Sequence, residues 1–212
     1  KPIPVENASP APTPTASNRP TAAPLPPTRE EIQIALNDMK IPVGKIDGKF
    51  GLRTRQALCI WRELTGRDVN RNLPTLAEQY AIVAQEDLVL PADAVVGLNV
   101  NKTCQSAIWV KSSDKKWFEI TTVSTGSPGL ETDSGIFKVQ WRVNRWYESI
   151  SIPDGWMYKP MFFNKGQAIH GSEKDAYVWW YPASHGCVRM LQGFVDLVVG
   201  TEFLSSLASS LI

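Results

Sequence analysis

Hydrophobic residues in this chain change their spacing once, near Pro91, and no all-α or all-β fold accommodates both halves. Before that point they fall at helical intervals. Thr28-Arg29-Glu30-Glu31 has the form of a capping box, and Ile32, Ala35, Leu36 and Met39 then mark one helical face that Pro42 ends. A glycine-rich turn from Gly44 to Gly51 leads to a second face of Ala57, Leu58, Trp61 and Leu64, stopped by Gly66. Thr75 and Glu78 repeat the capping box ahead of Leu76, Tyr80 and Val83. Three short helices over residues 28–90 make a small bundle, near the lower limit for independent stability.

After Pro91 the pattern is that of strands. Ile108-Trp109-Val110 and the run from Trp117 to Ser124 are apolar segments bounded by turns. Phe137, Val139, Trp141 and Val143 alternate with Lys138, Gln140 and Arg142, which predicts one half-buried strand. Ser112-Ser113-Asp114, Thr125 to Gly129 and Pro153-Asp154-Gly155 supply turns, and only Leu191 to Val199 has helical spacing. Residues 91–212 therefore predict a mainly β domain of two packed sheets with a late helix, and the whole chain an α+β fold. Glu202 to Ile212 lacks a final apolar strand and reads as a Ser/Leu-rich helical tail.

Nine of the 16 prolines fall in residues 1–27, with Ala, Thr, Ser and Asn between them. That segment cannot bury enough apolar surface to order itself and reads as an extended linker, of the kind that serves as a wall or surface spacer. Net charge is +1 and no basic block occurs, which argues against nucleic acid and acidic membrane as partners. No apolar run approaches the ~20 residues that span a bilayer. No signal peptide is visible, since Lys1 is followed by prolines rather than an apolar stretch.

The chemistry concentrates in one place. The chain has two histidines, His170 and His185, and both lie within 18 residues of Cys187, in Ile169-His170-Gly171 and Ser184-His185-Gly186-Cys187. A nucleophilic thiol needs a base to become a thiolate, and that base needs a partner to orient it. The same three side chains are zinc-ligand types, but a structural zinc site wants a fourth ligand, and Cys-x-x-Cys or His-x-x-x-His spacing is missing. No metal or cofactor is expected.

Two family resemblances follow from these motifs. Gly44, Asp47, Gly48, Phe50, Gly51, Thr54 and Ala57 resemble the signature of the peptidoglycan-binding domain found on bacterial wall enzymes. Glycan strands are then one expected partner, the alternative being a bundle that merely packs on the next domain. Gln167 to Ser172 followed by Ser184 to Cys187 resembles the catalytic signature of the L,D-transpeptidase (YkuD-like) family. Echoes of that family continue in Val123-Ser124-Thr125-Gly126, Ser134 to Phe137 and Trp156 to Phe163. This resemblance implies cell-wall crosslinking. Cys187 attacks the carbonyl between a meso-diamino acid and the terminal D-alanine of a tetrapeptide stem, and an amine from a neighbouring stem resolves the thioester.

It further implies His170 as general base, oriented by the Gly171 main chain, and a flap over the acyl-donor cleft in which Trp156 and Tyr158 contact substrate. Carbapenems acylate members of this family. The amides of Gly186 and Cys187 are the natural oxyanion donors, since Gly186 permits a tight turn. His185 either tunes the thiolate, binds substrate or holds the loop. Arg189 either binds a stem carboxylate or pairs with an internal acid, and Ser184 hydrogen-bonds within the turn. An exported protein with an odd cysteine count implies one free thiol, here Cys187; Cys59 and Cys104 then form an interdomain bridge or remain two buried thiols. The expectation is an exported, monomeric wall enzyme, with peptidoglycan stem peptides as substrate. Rivals are a noncatalytic wall-binding protein and, at the same site, a carboxypeptidase or a protein-anchoring transferase.

Overall fold

The computed structural model describes residues 25–114, 118–150, 152–178, 180–200 and 208–211. Almost all of the linker 1–27, together with Trp117, Trp179, residues 201–207 and Ile212, lies outside them. Three helices open the described chain: α1 (Arg29–Asp38), α2 (Leu52–Leu64) and α3 (Leu76–Val83). Both capping boxes form, Thr28 with Glu31 and Thr75 with Glu78, so each satisfies main-chain amides at its helix start from both directions. The glycine-rich turn between α1 and α2 is held by a residue without a motif of its own. Buried Gln33 accepts from the amides of Asp47 (3.0 Å) and Gly48 (2.8 Å) and donates to the Lys45 carbonyl and to Thr54 Oγ1.

A ten-stranded, mainly antiparallel sheet follows. Its strands are β1 (Gly97–Asn101), β2 (Ser106–Val110), β3 (Phe118–Ser124), β4 (Gly135–Lys138), β5 (Trp141–Arg142), β6 (Trp146–Glu148), β7 (Trp156–Asn164), β8 (Gln167–Gly171), β9 (Val188–Met190) and β10 (Ala208–Leu211), with α4 (Gln192–Gly200) after β9. The strand order is β4-β10-β1-β2-β3-β9-β8-β7-β5, and β6 pairs with β7 beside β5. The two expected sheets are two halves of this one path. They share β3, which pairs with β2 on one side and β9 on the other. The core between them takes Leu98, Trp109 and Val123 from one half, Met161, Phe163, Ile169 and Met190 from the other, and Val195 and Val198 from α4.

Two local expectations are corrected. The alternating run from Phe137 to Val143 is not one strand. It breaks at Val139 and Gln140, so β4 pairs with β10 at one end of the sheet while β5 pairs with β7 at the other. Alternation survives the break because both pieces lay one face on apolar neighbours: Phe137 against Phe163, and Trp141 stacked on Phe162 at 3.7 Å between ring centroids. The chain end is not a helical tail over its described part. Residues 208–211 are a strand inserted between β1, to which it is parallel, and β4, to which it is antiparallel. Main-chain pairing on two sides imposes the extended form without an apolar pattern.

The helical unit packs directly on the sheet. Every residue of β2 is buried, and its two faces serve different cores. Ala107 and Trp109 face the sheet interior, whereas Ile108 and Val110 join Ile32, Leu36, Leu58, Trp61 and Ile82 of the bundle. A disulfide between Cys59 on α2 and Cys104 in the β1–β2 turn crosses the same junction, with a sequence separation of 45. In the chain-entropy model closing such a loop contributes about 4 kcal/mol.

The strongest polar contact of the bundle is bidentate. Arg62, 2% exposed, bonds both oxygens of Glu78 at 2.7 and 3.0 Å and donates to the carbonyls of Asn70, Asn72 and Leu73. The Arg62 guanidinium beside it pulls the Glu78 carboxyl down to about 2. Glu78→Ala strands a buried guanidinium and removes a cap, so it is expected to cost about 3–5 kcal/mol in urea unfolding. A loss under about 1 kcal/mol would show the pair to be incidental.

Candidate active site

The site is built by a parallel strand pair. β8 and β9 run side by side with Ile169 opposite Val188, His170 opposite Arg189 and Gly171 opposite Met190. Because side chains two apart share a face of a strand, His170 and the Ala168 position lie on one side of β8, while Arg189 of β9 and Cys187, the residue before that strand, both line the cleft. The pairing thus brings together residues 17 apart in sequence, His170 and Cys187, at the floor of one cleft of about 660 Å³.

His170 is buried, and its Nδ1 lies 2.9 Å from the Gly171 carbonyl oxygen. A carbonyl only accepts, so Nδ1 carries the proton and Nε2 keeps its lone pair. Burial pushes the His170 pKa down to about 4, against the partial restoring effect of the Gly171 carbonyl, and the Arg189 charge lowers it further. Cys187, half-buried at the cleft, accepts from the Ala168 amide at 3.3 Å. Burial pushes its thiol above the ordinary cysteine value, while the Ala168 amide and Arg189 act the other way. The resting pair near neutral pH is therefore thiol and neutral imidazole, not thiolate and imidazolium.

The turn from Ser184 to Cys187 is tied on every side. Gly186 has φ +104°, a region that L side chains rarely adopt. Ser184 Oγ accepts from the Gly186 amide (3.2 Å) and donates to the Cys187 carbonyl. The Gly186 N–H, expected as an oxyanion donor, thus has a partner inside the turn. Ser184 is also anchored from below. Its amide donates to the Thr125 carbonyl at 3.0 Å, and its carbonyl accepts from the Ser127 amide at 2.9 Å. Thr132 Oγ1 accepts from the Gly126 amide and donates to the Gly186 carbonyl, both at 2.9 Å. A Cβ on Gly126 would lie 2.0 Å from the Leu130 carbonyl oxygen, so only glycine lets this support loop close under the turn.

Of the other predicted residues, His185 is exposed on the cleft wall, and Arg189, half-buried there, donates to the Ala183 carbonyl at 3.2 Å rather than to an acid. Trp156 lines the cleft with Ile150, Ile152 and Met157, opposite Leu130 and Gln167. Tyr158 does not. It turns toward α4, donates to Asp196 at 3.1 Å and packs on Trp146. A register shift between Tyr158 and Met161, with Lys159 at φ +46°, interrupts the alternation of β7 there. Trp141, Tyr147 and Phe162 pack together as an aromatic wall of the cleft, and the support from Thr132 carried no sequence signal beyond a single residue in a loop. Among the described residues no group of His, Cys, Asp and Glu is arranged to hold a metal ion, and no helix is long and apolar enough to cross a membrane.

Residues 96–198 match the model of the YkuD family, the L,D-transpeptidase catalytic domain. No protein with a curated description matches the chain. Among solved structures, an L,D-transpeptidase from Xylanimonas cellulosilytica is 22% identical over 94% of this chain and 100% of that one, with a TM-score of 0.58. An L,D-transpeptidase from Stackebrandtia nassauensis is 20% identical over 87% of this chain and 90% of that one, with a TM-score of 0.53. At such identities the likeness is one of fold, and it extends across the helical unit as well as the sheet.

Two measurements check the electrostatics. Iodoacetamide labelling of Cys187, the free thiol among the described cysteines, is expected to run about tenfold slower at pH 7 than that of an exposed cysteine and to keep rising through pH 9; a plateau below pH 7 would mean a preformed thiolate. The unfolded chain protonates His170 at 6.5, the folded chain only near 4. The resulting penalty is absent above pH 6.5, grows as pH falls, and reaches its full size of about 3 kcal/mol below pH 4. His170→Gln should remove that slope from the pH dependence of unfolding, and an unchanged slope would assign it to other groups.

Proposed function

We propose that this chain, whose residues 96–198 match the L,D-transpeptidase catalytic domain model, crosslinks peptidoglycan by acyl transfer through a Cys187 thioester. The observation that carries this reading is the shared cleft, which holds the free Cys187 thiol and an imidazole whose Nδ1–H is committed to the Gly171 carbonyl. An imidazole so oriented offers Nε2 as a base.

In the first half-reaction His170 Nε2 takes the Cys187 proton as sulfur attacks the carbonyl carbon between the diamino acid and D-alanine. Proton transfer accompanies attack, because the resting pair is neutral. The Cys187 N–H faces the developing oxyanion, and a short turn fixed at four points needs no reorganisation to present it. The tetrahedral intermediate collapses as His170 returns the proton to the nitrogen of D-alanine, which departs as a free amine. In the second half-reaction the acceptor amine attacks the thioester, His170 takes its proton, and sulfur leaves and is reprotonated. Both steps use one base in one orientation.

The wall around Trp156, Trp141, Tyr147 and Phe162 is apolar enough to cover the acyl group and disfavour water as acceptor. Arg189, beside the thiol and without a carboxylate partner among the described residues, fits a stem carboxylate. The Cys59–Cys104 disulfide suits an oxidising compartment, as does action on the wall. The helical unit, bound rigidly to the sheet, would present the cleft to a glycan strand.

Incubation of the purified chain with a disaccharide-tetrapeptide should release D-alanine and yield dimers linked between the third residues of two stems, read by tandem mass spectrometry. Cys187→Ala should reduce both products by about 10³-fold or more, and His170→Ala should do nearly the same, since the two act as a unit. Full turnover in Cys187→Ala would overturn the reading, and release of tripeptide without dimer would assign hydrolysis instead.

A further inference from the structure

The catalytic turn is not supported by its own domain alone. Directly beneath it, the carbonyl of Thr125 accepts from the amides of both Ala183 (2.9 Å) and Ser184 (3.0 Å). Thr125 is itself held by one side chain from a distant turn. Gln105 Oε1 accepts from the Thr125 amide at 2.8 Å, and Gln105 Nε2 donates to Thr125 Oγ1 at 2.7 Å and to the Lys102 carbonyl at 2.6 Å. Gln105 is 0% exposed and Thr125 1%, so the two bonds between them are sheltered from solvent. Lys102, in the same turn, reaches the other end of the support loop and donates to the Thr132 carbonyl at 2.9 Å and to Ser134.

That turn, residues 101–105, is fastened to the helical unit. Cys104 is disulfide-bonded to Cys59, and the Gln105 carbonyl accepts from Gln56 Nε2, one helical turn before Cys59 on α2. Gln105 has φ +54°, a conformation that a glutamine adopts only when its surroundings fix it. The continuous sequence of contacts is α2, Gln105, Thr125, Ser184, Cys187.

We propose that Gln105 is a positioning residue for Cys187, and that the helical unit sets the geometry of the catalytic turn through it. This rests on the thioester reading above. The helical unit then has a part in acyl transfer separate from any affinity for the wall. Gln105 touches no substrate, and its effect falls on how the thiol and the Cys187 N–H meet the carbonyl. Misplacement of that kind costs rate at saturating substrate rather than affinity.

The test uses the full chain and a carbapenem as acylating probe, followed by intact mass, with stem-peptide crosslinking giving kcat and KM. Gln105→Met keeps the length and removes all three side-chain bonds; it should slow acylation and lower kcat by about 10–100-fold with KM within about twofold. Gln105→Glu, which keeps the acceptor for the Thr125 amide, should recover part of the loss. Gln56→Leu, which removes one of the two ties to the helical unit and leaves the Cys59–Cys104 disulfide in place, should lower kcat by several-fold, and it decides the matter if Gln105→Met does not fold. Wild-type kcat in a folded Gln105→Met, or in Gln56→Leu, overturns the proposal. A wild-type chain that neither acylates nor crosslinks overturns the thioester reading instead.

Discussion

The burial of β2 on both faces is the constraint on which the rest of the structure depends. A strand in a half-exposed sheet keeps one face for solvent; here Ala107 and Trp109 point into the sheet core while Ile108 and Val110 point into the helical bundle. A bundle of three short helices buries too little surface to stand firmly alone. Packed on β2, it gains a floor, and the sheet gains a cover over its outer face. The disulfide and the Gln56–Gln105 bond sit at the end of this shared surface. Two cores therefore behave as one body, and the turn after β1 inherits a fixed position from both.

The chemistry inherits its order from that body. Parallel pairing of β8 and β9 places the thiol and the imidazole in one cleft, and the support loop from Thr125 to Thr132 holds the Ser184–Cys187 turn in register below it. Burial favours the neutral forms of both His170 and Cys187, through opposite shifts in their proton affinities. A neutral thiol is less exposed to adventitious oxidation and alkylation than a thiolate. Reactivity then depends on geometry, because the proton must move as the bond forms.

Much of this was legible in the sequence, for reasons that differ by element. Both capping boxes are local devices, written within four residues, and both form. Ile32, Ala35 and Leu36 are buried because a helix of period 3.6 brings them to one face. The Cys and His spacing pointed to one site, and one cleft holds His170, His185 and Cys187. What the sequence withheld is non-local. The run from Phe137 to Val143 alternates correctly, yet its two pieces pair at opposite ends of the sheet, which no period can reveal. Residues 208–211 are a strand through main-chain pairing with two neighbours. Tyr158 left the cleft through a register shift in β7, and the Gly186 amide was claimed by a serine oxygen two residues earlier. Gln33, Gln105 and Thr132 are single polar residues whose importance comes from what the fold sets beside them.

The central claim is a covalent intermediate on one sulfur. Rapid mixing of the chain with a tetrapeptide stem in the absence of an acceptor amine, acid quench and peptide-level mass spectrometry tests it most directly. The account predicts a mass increment equal to the stem less D-alanine, on the peptide that contains Cys187, rising and decaying with the kinetics of D-alanine release and missing from Cys187→Ala. Release of D-alanine at the normal rate with no acylated Cys187 at any quench time would contradict it.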